Sequence, residues 1–314
     1  MTAVTSFADV REIRQEGPHP YVFSPYIEPQ ATVKPGETVA IYTEDAFEGR
    51  ITGPKDLPSK VLGSQLNPQT GPLYIEGAEP GDTLAVKIEA LEPTRDWAVS
   101  AFVPYFGGLT ATSVTRLLHD ALPERIYVYE LRDGVFTYDD RFRVPWRPFL
   151  GTIGTAPEVE ALSALTPGAH GGNMDVRDTC PGHTVYLPVN VEGGLFYTGD
   201  MHGCQGDGEV CGVALEITGR AVLTFDLIKN HTIAWPRIES QEKIMTVGSA
   251  RPMEDAARIA YAELVDWMAQ EHGFDPLDAY QLLTQVGTLY VGNMVDPNYS
   301  LVAGIDKLHL AASA

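Results

Sequence analysis

The stretch Pro80-Gly81-Asp82-Thr83-Leu84-Ala85-Val86-Lys87-Ile88-Glu89-Ala90-Leu91 sets the fold class. Leu84, Val86 and Ile88 fall on one side of an extended chain, and Lys87 and Glu89 on the other. That alternation marks a half-buried strand, and Pro80-Gly81-Asp82 is the turn that feeds it. The same entry recurs in Lys34-Pro35-Gly36-Glu37, ahead of Val39 and Ile41, and in Pro181-Gly182-His183-Thr184, ahead of residues 185–189. Strands entered by like turns point to stacked strands. Further out, residues 126–131 and 135–138 flank Arg132-Asp133-Gly134, and residues 213–217 and 221–228 flank Thr218-Gly219-Arg220. Both pairs predict hairpins. Residues 141–149, with Pro145, Trp146 and Pro148, read as an irregular connection.

Helical spacing is confined to the last part of the chain. Ala257, Ala260, Tyr261, Leu264, Trp267 and Met268 share one face of a helix over residues 254–272, and Gly273 stops it. Asp275-Pro276-Leu277-Asp278 starts a second helix, capped by Asp275, and Gly287 ends it. The expected fold is β-rich with many turns, and the two late helices form a helical hairpin inserted into it.

Composition narrows the partners. The 314 residues hold 42 Asp plus Glu against 22 Lys plus Arg, a net charge of −20 that repels nucleic acid and anionic membrane surfaces. No apolar run approaches the ~20 residues of a membrane helix. The first 14 residues lack the basic-then-apolar pattern of a secretory leader. Cys180, Cys204 and Cys211 form no C-x-x-C pair, as expected of free thiols in a reducing compartment, so a cytoplasmic protein is expected.

Nucleotide-binding and serine-hydrolase signatures are absent. Chemistry concentrates instead in residues 199–212, Gly-Asp-Met-His-Gly-Cys-Gln-Gly-Asp-Gly-Glu-Val-Cys-Gly. Five glycines surround Asp200, His202, Gln205, Asp207 and Glu209. Buried carboxylates need a counter-charge or a shared proton, and a chain short of cations makes a metal a sensible partner. Asp200 and His202, two apart in an extended segment, project to one face and suit a single ion. A second cluster, His170-Gly171-Gly172-Asn173-Met174-Asp175, carries similar groups about 30 residues earlier. The two clusters suggest one shared site.

These residues resemble the acetamidase/formamidase family. Gln205-Gly-Asp-Gly-Glu-Val-Cys-Gly212 after Gly199-Asp-x-His202 is similar to the family's central motif. So are Asn67-Pro-Gln-Thr-Gly-Pro-Leu-Tyr-Ile-Glu-Gly-Ala-Glu-Pro-Gly-Asp82, Pro148-Phe-Leu-Gly-Thr-Ile-Gly154, His170 to Asp175 and Gly292-Asn-Met-Val-Asp-Pro297 to other family segments. His19 and Asp45 match the family's early His and the acid closing its second strand. The resemblance implies a mainly β fold, with a β-sandwich or barrel-like core and a smaller α/β part containing the C-terminal helical hairpin. Residues 1–314 would then form a single interlocked unit, with 1–235 mainly β and 236–314 the α/β part with two helices. It also implies a cytoplasmic homo-oligomer, a dimer or higher, that hydrolyses small amides such as formamide or acetamide. Gly203-Cys204 departs from the family's usual Ala-Ala or Ala-Ser, which argues against Cys204 as a nucleophile.

The expected mechanism uses a divalent metal, Zn²⁺ in preference to Ca²⁺, to activate water. Asp200, His202 and Asp175 are the expected ligands, with His170 and Asp45 as further metal candidates. Glu209 is the expected general base and acid. Asp207 and Asn173 complete the catalytic set, with Asn173 or backbone N–H groups of the glycine-rich turn as oxyanion donor. Two other readings stay open at this point: a metal-dependent lyase or isomerase, and a non-catalytic β-sandwich binding protein stabilised by metal.

Overall fold

The computed structural model describes residues 7, 9–110 and 120–310; the first six residues, part of the stretch read for a leader, lie outside it. Two sheets dominate. The larger has nine strands in the order Arg11–Ile13, Thr38–Thr43, Gly219–Ile228, Thr83–Pro93, Thr184–Pro188, Arg237–Glu239, Lys243–Ala250, Tyr299–Asp306 and Thr288–Asn293. Every neighbouring pair is antiparallel except the first. The smaller has five strands: Gly171–Asn173, Phe149–Gly154, Phe196–His202, Gln69–Ile75 and Ala31–Val33.

The alternation read at residues 83–91 places Leu84, Val86 and Ile88 in the core between these sheets. Leu223 and Phe225 join them from the large sheet, and Leu73, Ile153 and Phe196 from the small one. The rings of Phe196 and Phe225 meet edge-on across the interface, 4.9 Å between centroids. Burying such side chains contributes roughly 1.5–3 kcal/mol each, which makes this layer the main cohesive element. The molecule is mostly strand, as the sequence predicts.

The helices cover the other face of the large sheet. Met253–His272 and Pro276–Val286 pack Ala260, Leu264, Trp267, Met268 and Leu283 against Ile244, Ala303 and Ile305. Strand Lys243–Ala250 serves both sides: Ile244 faces the helices, while Met245 and Val247 face the sandwich core. The stops are those foreseen, with Gly273 left-handed at φ 71° and the Asp275 side chain accepting from the Leu277 N–H. Among the described residues, no helix is long and apolar enough to cross a membrane.

Two local expectations are corrected. The hairpin around Thr218-Gly219-Arg220 does not form, because Gly219–Ile228 pairs with Thr38–Thr43 and Thr83–Pro93 instead. The central position of that strand in the large sheet leaves residues 213–217 free to lie elsewhere. Residues 142–145, read as part of an irregular connection, form a strand paired with Val135–Tyr138. They close a four-stranded sheet with Arg125–Arg132 and Trp97–Phe102.

Glu216 sits where this sheet meets the five-stranded one. Its backbone bridges Val99 on one side and His202 on the other. The chain that would have formed a hairpin is thereby used to bring a carboxylate beside the end of strand Phe196–His202.

Candidate active site

Six titratable side chains converge, all buried: Asp175, Asp200, His202, Glu209, Glu216 and Asp296. Asp200 and His202 end strand Phe196–His202. Asp175 follows the short strand Gly171–Asn173, which pairs with the neighbouring Phe149–Gly154. Glu209 lies on the glycine-rich loop. That loop is pinned to the far edge of the large sheet, where the Gly208 N–H donates to the Val291 carbonyl (2.8 Å) and the Met294 N–H to the Gly208 carbonyl (3.0 Å). The same anchorage brings in Asp296, just beyond strand Thr288–Asn293.

Nε2 of His202 lies 3.3 Å from Oδ1 of Asp200 and 3.5 Å from Oε1 of Glu216. Nδ1 of His202 donates to Oε1 of Gln205 at 2.8 Å. The direction follows from Gln205 itself, whose amide nitrogen donates to the carbonyls of Asp175 (3.1 Å) and Gly292 (3.0 Å). Its oxygen is therefore the end facing the imidazole, and Nε2 is turned toward the acids.

Asn173 holds two acids together. Its amide donates to Oδ2 of Asp175 (3.0 Å) and Oδ2 of Asp296 (2.8 Å), while Oδ1 accepts from Asn67 Nδ2 (2.7 Å) and from the Thr152 hydroxyl. Both amide hydrogens are used, so Asn173 positions carboxylates here and has none left for an oxyanion. Gly151 makes room: a Cβ there would lie 2.8 Å from both Asp175 Oδ1 and Asp200 Oδ2. Asn67, Asp175, Asp200 and Glu209 all hold left-handed backbone, at φ 61°, 51°, 58° and 48°. Non-glycine residues adopt that region at a cost, and such outliers concentrate where function requires them.

The electrostatics follow from burial. Burial, with the charges of Asp296 and Asp200, pushes Glu209 up to about 8 against the pull of His202. Burial pushes Asp296 up to about 7. Burial and neighbouring acids also raise Asp175 and Glu216. Burial alone would raise Asp200 too, but the adjacent His202 holds it below its ordinary value. His202, despite burial, is lifted to about 10 by Glu216 and Asp200. Acids packed so closely cannot all ionise without a cation.

Among the described residues, none of the five carboxylates is ion-paired to Lys or Arg. Asp175 Oδ1, Asp200 Oδ1 and Glu216 Oε2 are buried without a hydrogen-bond donor of good geometry. Three sets of ligand atoms each lie within 4.8 Å of one another: Asp175, Asp200 and His202; His202, Glu209 and Glu216; and Asp175, Glu209 and Asp296. Orphaned oxygens around one imidazole nitrogen fit a divalent cation.

The remaining expected residues lie apart. Asp207 is half exposed and ion-paired with Arg177, whose guanidinium stacks 4.0 Å over the Tyr290 ring. Asp45 is buried, but its carboxylate binds Arg95 (2.7 Å) and the N–H groups of Phe47 and Gly49. His170 is buried against Phe23, 4.9 Å between ring centroids, and belongs to none of the three ligand sets. His19 contacts the Gln69 carbonyl at 3.1 Å and is likewise outside them. Cys204 packs against the sandwich core.

Glu216, absent from the expected set, sat inside an apolar run and gave no sequence signal of its own. Asp296 and Asn67 appeared only within segments that resemble the family.

A cavity of about 250 Å³ opens above Asn173, Asp200, His202, Glu209, Glu216 and Asp296.

The acetamidase/formamidase family model matches residues 10–166 and 158–305. The acetamidase of Mycolicibacterium smegmatis is 30% identical over 65% of this chain, which spans 64% of that protein, just under two thirds of its length. The solved acetamidase from Yersinia enterocolitica is 43% identical, with a TM-score of 0.94 over 98% of this chain and 96% of its own. The solved acetamidase from Bacillus halodurans is 30% identical, with a TM-score of 0.87 over 95% of this chain and 98% of its own.

Proposed function

Because the chain belongs to the acetamidase/formamidase family, we propose that it hydrolyses a small linear amide to a carboxylate and ammonia. The observation that carries the reading is the meeting of five buried acids and one imidazole, of which Asp200, His202, Glu209, Glu216 and Asp296 line the floor of a cavity. Asp175, Asp200 and His202 would hold a divalent cation, and their ligand atoms lie within 4.8 Å of one another. The imidazole among the ligands favours Zn²⁺ over Ca²⁺, which prefers an all-oxygen shell. Such a cation supplies Lewis-acid activation of water and of the amide carbonyl.

The chain's own residues do the rest. Glu209, near neutrality in its proton affinity, takes a proton from the attacking water and delivers it to the departing nitrogen. Protonation matters because an amide expels ammonia far more readily than an amide anion. Gln205 fixes which nitrogen of His202 faces the acids. Asn173 aligns Asp175 with Asp296. The apolar walls limit water around the reacting carbonyl.

A cytoplasmic homo-oligomer belongs to the same reading, and the three cysteines are free thiols. The test is ammonia release from formamide and acetamide by purified protein, before and after chelation and metal return. Turnover that metal restores supports the reading. Tight metal binding without ammonia from any amide overturns it in favour of a metal-stabilised binding protein.

A further inference from the structure

The cavity above the acids is larger than an acetyl group needs. At about 250 Å³ it holds roughly eight water-sized units of about 30 Å³. Acetamide, with one methyl group beyond its amide, fills only part of that. The walls are apolar: Phe47, Leu66, Val103, Phe106, Leu165 and Val213 surround the space above the polar floor. Phe106 is seated by a missing side chain, since a Cβ on Gly212 would lie 2.5 Å from its ring.

The floor and walls ask for different ends of one molecule. Among the described residues lining the cavity there is no Lys or Arg. A substrate bearing its own carboxylate would meet Glu209, Glu216 and Asp296 with no Lys or Arg to offset them, and His202 already faces Asp200 and Glu216. A substrate lacking an apolar group would leave the walls in contact with trapped water. We propose that the preferred substrate is a neutral primary amide whose acyl group is an apolar chain or ring of about five to seven carbons, seated against Phe106. This rests on the amidase reading and narrows its substrate class. In the reaction the acyl carbon gains the water oxygen, the carbon–nitrogen bond breaks, and the nitrogen leaves as ammonia after gaining a proton.

The test measures kcat/KM by ammonia release for formamide, acetamide, butanamide, hexanamide, phenylacetamide and the anionic succinamate, with calorimetric binding of each in parallel. Each buried methylene is worth about fourfold, so hexanamide and phenylacetamide are expected to exceed acetamide at least tenfold, with succinamate lowest. Phe106→Ala should reduce the phenylacetamide-to-acetamide ratio about tenfold. A kcat/KM that peaks at formamide or acetamide, or phenylacetamide binding no tighter than acetamide, overturns the proposal. If no amide releases ammonia but the binding order holds, the cavity's preference stands and the amidase reading alone fails.

Discussion

Gln205 fixes His202 from the side away from the acids: its Oε1 lies 2.8 Å from Nδ1 of the imidazole, and its amide nitrogen is committed to the carbonyls of Asp175 and Gly292. One side chain thereby ties the glycine-rich loop, the segment after Asn173 and the edge strand of the large sheet to a single imidazole. Partners that orient a metal-binding histidine typically contribute 10–100-fold. Gln205→Ala is therefore expected to lower both metal affinity and kcat/KM by about that factor. Gln205→Glu should be worse, because a carboxylate would face two carbonyl oxygens. Metal titration and steady-state kinetics on both variants check this, and a Glu variant outperforming the Ala variant would refute it.

Glu209→Gln keeps the size of the side chain and removes its ability to carry a proton. Turnover should fall by about 10²–10⁴-fold, while the variant still binds metal and melts close to the parent. Wild-type turnover in this variant removes Glu209 from the proton path.

The buried acids make the fold sensitive to a cation. After dialysis against chelator, Zn²⁺ at a hundredfold excess over its dissociation constant should stabilise the protein by about 2.7 kcal/mol, a rise in Tm on the order of 5 °C. Asp200→Ala should abolish the rise. A larger rise with Ca²⁺ than with Zn²⁺ would reassign the metal, and no rise with either would leave the acids without one.

Gly151 is the space into which two carboxylates fit. Gly151→Ala forces Asp175 and Asp200 apart, so activity should fall at least tenfold. The overpacking itself costs about 1–3 kcal/mol, visible as a Tm lower by a few degrees. Activity equal to the parent's would show that the two acids need not stay where they are.

His170 predicts an acid limit to stability that is independent of the metal. Burial lowers its pKa from 6.5 to about 4. Between those values the unfolded chain binds a proton that the folded chain refuses, so stability falls as pH drops from about 6.5 toward 4 and is fully present above that window. The size is roughly 3 kcal/mol. Urea unfolding of the parent and of His170→Gln at pH 7.5, 5.5 and 4.5 isolates it. The difference between the two proteins should shift steadily in the variant's favour as pH falls, and a constant difference would contradict the assignment.

The strands and helices were largely legible in the chain because periodicity reports burial directly. Residues 83–91 and the helix ending at Gly273 are examples. The failed hairpin at Thr218-Gly219-Arg220 shows the limit: turn residues are local, whereas strand Gly219–Ile228 is claimed by two partners distant in sequence.

The site was legible in the same proportion. Asp200 and His202 sit two apart on one strand, so spacing alone brought them together. Asp45 and His170 are acids and imidazoles of the right kind, yet Arg95 holds one and Phe23 packs on the other. Neither contact has a signature in the neighbouring residues. Glu216 is the converse case, a carboxylate hidden in an apolar run and revealed only by its backbone bridges to Val99 and His202.

The clustered side chains are drawn from as far apart as Asn67 and Asp296, and the edge strand that delivers the last of them belongs to the same sheet that opens the chain. A polypeptide part-way through synthesis therefore carries a growing set of acids but no working centre. A protease nick anywhere in between leaves the halves dependent on strand pairing and core packing to keep them clasped, so catalysis becomes a readout of whether the whole chain has closed.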